Sequence, residues 1–100
     1  MNALSAALFP VLNRSVINPG NVYRVFLSRG LRVDFITNHE ETRMQLSRSA
    51  PTVPSDLEVE TCLKAINVSD PNLFAPKKFF FEGRNFVQVS FAIQSTKVIV

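Results

Sequence analysis

Asn85-Phe86-Val87-Gln88-Val89-Ser90-Phe91-Ala92-Ile93-Gln94 decides how this chain is read, because its side chains alternate in character at every step. Val87, Val89, Phe91 and Ile93 fall on one side of an extended backbone, and Phe86, Gln88, Ser90, Ala92 and Gln94 on the other. A helix would scatter both sets around its axis; a strand sends one inward and the other outward. Just upstream, Lys78 to Glu82 is a second β-prone run, and Gly83 between them marks a turn. Downstream, beyond Ser95-Thr96, Lys97 to Val100 reads as a last strand.

The same period recurs earlier. Leu31, Val33 and Phe35 alternate with Arg32 and Asp34, and Met44 and Leu46 alternate with Arg43, Gln45 and Ser47. With Asn38-His39-Glu40-Glu41 as the connection, residues 31–37 and 42–48 form a predicted hairpin. Ser49-Ala50-Pro51-Thr52-Val53-Pro54 then breaks regular structure. Ser55-Asp56-Leu57-Glu58 is a capping box, in which the Ser55 hydroxyl and the Glu58 carboxylate each satisfy a free backbone donor. The helix it opens carries Val59, Cys62, Leu63 and Ile66 on one face, so that face is expected to lie against the sheet, and the helix is expected to end near Asn67. Ser69-Asp70-Pro71 suits a short further turn of helix before Pro76.

Two N-terminal segments are also expected to be helical. Leu4, Leu8 and Leu12 lie on one stripe, with Pro10 as the residue that would kink it. In Val22-Tyr23-Arg24-Val25-Phe26-Leu27-Ser28-Arg29-Gly30 the β-branched and aromatic residues suit a strand. The spacing of Val22, Tyr23, Phe26 and Leu27, the start at Asn18-Pro19 and the stop at Gly30 predict a helix instead. The expected architecture is thus α+β: an antiparallel sheet of four to five strands, with helices packed on one face, in a single domain over residues 1–100.

Composition narrows function mainly by exclusion. A hydrophobic fraction of 46% with nine Phe argues against disorder, and no apolar stretch approaches the roughly 20 residues that span a bilayer. No Lys or Arg precedes the apolar start, which is therefore read as structure and not as an export signal, and one cysteine allows no internal disulfide. A cytoplasmic setting is expected. The net charge of +3 is uneven: residues 1–39 and 61–100 are basic, and residues 40–60 are acidic. Such basic segments attract phosphate or acidic partners.

Catalytic and metal chemistry find little to work with. Cys62 sits on the apolar face of its helix and His39 in a hairpin connection, so they do not make a nucleophile and base. His39-Glu40 lacks a second His for zinc, and Asp56, Glu58 and Glu60 are explained by helix capping and the helix dipole. No glycine-rich phosphate loop or nucleophile elbow occurs, and no cofactor is implied.

Three readings remain, all of them binding functions. The first is a non-catalytic binding or assembly module, joined to a second copy or a protein partner. Its contact would be the uncharged ladder Phe86, Gln88, Ser90, Ala92 and Gln94 with Ile36 beside it, or an edge strand. The second is a nucleic-acid binder using Arg24, Lys77, Lys78 and Arg84 around a Phe-containing strand. The run from Lys77 to Val89 departs from the RNA-recognition strand pattern. Glu82 stands where a basic residue is wanted, Arg84 and Val89 stand where aromatics are wanted, and Phe86 alone is expected on the outward face, with Phe79 and Phe81 in the core. The third is a small-ligand pocket between helix and sheet.

Overall fold

A computed structural model describes Leu8 and residues 22–37, 41–66 and 75–92. Among the described residues the strands and the bounded α-helix follow in chain order: β1 Val22–Phe26, β2 Arg32–Thr37, β3 Glu41–Ser49, α1 Asp56–Ala65, β4 Lys77–Phe81 and β5 Arg84–Ala92. The strands form a single antiparallel sheet in the order β1-β2-β3-β5-β4, so the fold is a small α+β one. β5 inserts between β3 and β4, which leaves β1 and β4 at the edges among the described residues.

The decisive stretch behaves as its alternation requires. Val87, Val89 and Phe91 are buried, and across β3 they meet Leu46, Met44 and Thr42 in register. Val33 and Phe35 of β2 continue the row, and Tyr23 and Val25 of β1 close it. These residues form one buried cluster with Val59, Cys62, Leu63 and Ala65 of α1, Ile66 just after it, and Leu8. Fully burying one such side chain contributes roughly 1.5–3 kcal/mol, so this cluster is the main source of stability. Leu8 is helical and buried, as its stripe predicts; the rest of the N-terminal segment, residues 67–74, and Ile93, Gln94 and the strand expected at Lys97 to Val100 lie outside the described residues.

Residues 22–26 correct the expectation of a helix. Val22, Arg24 and Phe26 are exposed while Tyr23 and Val25 are half-buried, which is period two, and each residue has a cross-strand partner from Ile36 to Arg32. The reason is tertiary: β2 offers a free edge and an apolar face that an alternating V-Y-R-V-F segment fits, whereas a helix there would have left that edge unpaired. The turn that follows, Ser28–Gly30, is a short 3-10 turn closed by Leu27 N–H donating to the Leu31 carbonyl at 2.8 Å. Gly30 does adopt the left-handed conformation, at φ 68°, but in a hairpin connection instead of a helix end.

The capping box forms as written in the sequence. Glu58 N–H donates to Ser55 Oγ at 3.2 Å, and Ser55 N–H donates to Glu58 Oε1 at 3.0 Å. Glu58 has a second task that spacing did not reveal. Arg48, at the end of β3 and buried, donates through both terminal nitrogens to the two Glu58 oxygens at 2.5 Å, and through Nε to the Arg29 carbonyl at 2.9 Å. One guanidinium thereby joins the start of α1, the β3 end and the β1–β2 turn. The Glu58 carboxyl is held down to about 2, chiefly by the Arg48 hydrogen bonds against the opposing effect of burial.

Candidate functional site

Every second residue of the strands points away from the buried cluster, and these residues form three rows across the sheet and the start of a fourth. Val22, Ile36, Arg43 and Ser90 make the first. Arg24, Asp34, Gln45, Gln88 and Lys77 make the second. Phe26, Arg32, Ser47, Phe86 and Phe79 make the third, and Ser49, Arg84 and Phe81 stand beyond it. Ser47 on β3 is the small residue of the third row, with Arg32 on one side and Phe86 and Phe79 on the other. The result is a trough of about 510 Å³ with Val22 at one wall, Phe79 and Phe81 at the other, and Glu82 at the rim.

Guanidinium groups line this trough. Arg24 donates Nε to Asp34 Oδ1 at 2.7 Å and Nη2 to Oδ2 at 3.4 Å, which raises the pKa of the guanidinium further above its ordinary value. Arg32 Nε stands 3.3 Å from the same carboxylate, yet the geometry of a hydrogen bond is not met and this buried nitrogen has no acceptor among the described residues. Arg84 is held differently. It donates to Ser47 Oγ at 3.0 Å, the Ser47 carbonyl at 3.1 Å and Ser49 Oγ at 3.3 Å, all neutral acceptors. Desolvation, then the proximity of Arg32, lowers its pKa from the ordinary value; Asp34 counters only in part. A cation kept beside another cation by hydroxyl groups has donors to spare for an anion.

The aromatic residues are not placed as the sequence suggested. Phe79 and Phe81 share the face of Phe86 and are not in the core, because Phe79 pairs with Phe86 and Phe81 with Arg84 across the hairpin. Phe79 and Phe86 stack with ring centroids 4.8 Å apart and planes 3° from parallel. Arg32 reaches over Ser47 to lie 5.7 Å from the Phe86 centroid, and Lys77 Nζ lies 5.8 Å from that of Phe79. Phe86 is therefore wedged between a cation and a second ring, only 6% exposed, and is no platform for a base. The available rings are Phe81, 57% exposed at the trough wall, and Phe26, 75% exposed, which shares the face on edge strand β1 but does not line the trough.

Among the residues expected at a contact surface, Phe86, Gln88, Ser90 and Ile36 do share this face. Ala92 closes β5 opposite Glu41, and Gln94 lies outside the described residues. Gln88 donates to Gln45 across the strands. The ladder is uncharged, but the face is not, because flanking strands bring Arg24, Arg32, Asp34, Arg43 and Lys77 onto it. Among the residues expected to bind nucleic acid, Arg24 and Arg84 line the trough, and Lys77 stands on the same face but outside its lining. Lys78 does neither: it pairs with Val87 on the opposite face, and its ammonium stands 3.6 Å from Asp56.

The other candidates separate. Cys62 is fully buried in the core cluster and burial pushes its thiol up to about 12, as expected of a small core hydrophobe; His39 lies outside the described residues. No group of three His, Cys, Asp or Glu gathers among the described residues, and no helix among them is long and apolar enough to cross a membrane. Phe35, Met44, Leu46 and Ile66 belong to the buried cluster, and the trough is lined by strand residues of the opposite parity. No family model, curated protein or solved structure matches the chain.

Proposed function

We propose that the chain is a non-catalytic binding module of the cytoplasm, that α1 covers one face of its sheet, and that the trough on the other takes single-stranded nucleic acid. The observation that carries the reading is the charge count at the trough. Arg24, Arg32 and Arg84 meet one floor carboxylate, Asp34, and one at the rim, Glu82, and Arg84 is anchored by neutral groups alone. An anion is what such a cluster lacks, and phosphates spaced along a strand fit a row of separate guanidinium groups. Phe81, exposed at the wall, and Phe26, exposed on the same face, offer rings on which unpaired bases stack.

The same charge argues against this face as the contact between two copies, since pairing the face with itself would bring its excess of guanidinium groups close to the same excess on the second copy. Fluorescence anisotropy with labelled single-stranded RNA and DNA tests the reading. Affinity is expected to fall linearly, on logarithmic axes, with salt. No binding at low salt, or binding of equal strength to a polyglutamate chain, would show that the trough does not recognise nucleic acid.

A further inference from the structure

We propose that two copies of this chain join edge to edge through β4, with the two-fold axis at Phe79. β4 is the outermost strand, and among the described residues nothing pairs with its outer side. Its sequence, Lys77-Lys78-Phe79-Phe80-Phe81, is cationic in one half and aromatic in the other. Exposed edges are normally guarded along their length by charge, Pro or a bulge. Here the guard covers half, and Phe80 and Phe81 are left 62% and 57% exposed.

The hairpin fixes which backbone groups are free. Glu82 and Gly83 both have positive φ, 50° and 77°, which is the two-residue turn that makes Phe81 and Arg84 a hydrogen-bonded pair. Alternation then sends the N–H and C=O of Lys77, Phe79 and Phe81 toward β5 and those of Lys78 and Phe80 outward. An antiparallel partner must match outward residues with outward residues, and three two-fold registers do so. Centring on Lys78 sets that lysine against its own copy. Centring on Phe80 pairs only residues 79–81 and leaves both Lys77 and Lys78 opposite the turn. Centring on Phe79 uses all five residues and places Lys78 opposite the second copy's Phe80 and Lys77 opposite its Phe81. Each cationic half then covers an aromatic half, and the lysines of the two copies lie at opposite ends of the seam.

The flank agrees with the edge. Val53 and Leu57 are 50% and 71% exposed. The Thr52 carbonyl beside Val53 accepts from Asn85 Nδ2 at 3.0 Å, Asn85 pairs with Phe80, and Asp56 beside Leu57 reaches Lys78. These exposed apolar groups gather at the same side of the molecule and widen the apolar strip that a second copy would cover. The axis stands perpendicular to the sheet, so both troughs open on the same side of a continuous sheet of twice the strands.

Sedimentation of the full chain over a range of concentrations is expected to give twice 11.2 kDa, and Phe80→Lys, at an exposed position, to return the mass to 11.2 kDa with an unchanged circular dichroism spectrum. Register is read by oxidative cross-linking. In this seam Lys78→Cys and Phe80→Cys are a hydrogen-bonded pair with Cα atoms about 5.5 Å apart, within disulfide reach. A mixture of those two variants is expected to cross-link, and Phe80→Cys alone is not; Cys62, buried, stays silent. A monomer at every concentration, or a dimer in which the mixture fails to link or Phe80→Cys links alone, would overturn the proposal. Should Phe80→Lys fail to fold, the cross-linking pattern still decides.

Discussion

Two arginine clusters in this small chain use the same chemical groups to opposite ends. At Arg48 and Glu58 one guanidinium meets one carboxylate by both forks, its remaining Nε reaches the Arg29 carbonyl, and the Arg48 side chain is only 9% exposed. In the trough Arg24 and Arg32 share Asp34, Arg32 Nε has no acceptor among the described residues, and Arg84 rests on hydroxyl groups. The closed cluster fixes a fold. The open one keeps donors that no carboxylate takes up, which is what a binding surface needs and a structural staple avoids.

The contrast is broken first at its closed end. Glu58→Ala leaves the Arg48 charge buried beside one carbonyl and removes an arm of the capping box. Losing one partner of such a buried pair is expected to cost about 3 kcal/mol, read as a fall in the urea midpoint at constant slope. A cost within error would mean that Arg48 finds water as readily as it finds Glu58, and the two clusters would differ only in appearance.

Acid does the same without mutation. Glu58 has its folded pKa lowered to about 2 from 4.5, so its contribution is complete above about 4.5 and is lost as pH falls toward 2. With the carboxylate partly solvated, a loss of about 2 kcal/mol is expected over that window, and Glu58→Ala should flatten it. Urea titrations of both proteins between neutral pH and pH 2 measure this. A slope surviving in the variant would assign it to other carboxylates.

At the open end, Arg84→Ala is expected to move binding more than stability. Removing one phosphate contact should weaken single-strand affinity about tenfold and reduce the logarithmic salt slope by about 1. Folding should fall by no more than about 1 kcal/mol, the scale of the neutral hydrogen bonds to Ser47 and Ser49. An unchanged salt slope would take Arg84 out of the site.

The fold was legible wherever one face of an element is buried and the other solvated. Residues 84–92, 32–37 and 41–49 read correctly because period two survives in each, and α1 because Ser55 and Glu58 write its first turn explicitly. Residues 22–26 misread because a short apolar run satisfies both periods, and only β2, ten residues further on, decides between them. The site was half legible. Arg24, Lys77 and Arg84 are visible as charges, but their sharing one face, with Arg24 and Arg84 lining one trough, depends on β5 inserting between β3 and β4, an order no local pattern encodes. Arg32 and Asp34 had read as an ordinary polar face of a strand, and Phe79 and Phe81 as core. The parity of β4 is fixed by the two-residue turn at Glu82-Gly83, and shifting that turn by one residue would have put both rings inside.

The finest separation of the two clusters comes from making one change in both places. Asp34 and Glu58 are each replaced by the matching amide, which keeps shape and removes charge. At Glu58 the amide can no longer neutralise Arg48, so stability falls and nothing is gained. At Asp34 the amide leaves Arg24, half exposed, and Arg32 with undiminished positive charge beside the trough. Removing one opposing charge from a partly solvated site is worth about 1 kcal/mol to an incoming phosphate, so Asp34→Asn is expected to bind single strands about fivefold more tightly at low salt. Weaker binding by Asp34→Asn would carry a different lesson: Asp34 would then act by holding Arg24 and Arg32 in a fixed fork, orientation would outweigh net charge, and the trough would be as closed a structure as the Arg48 staple.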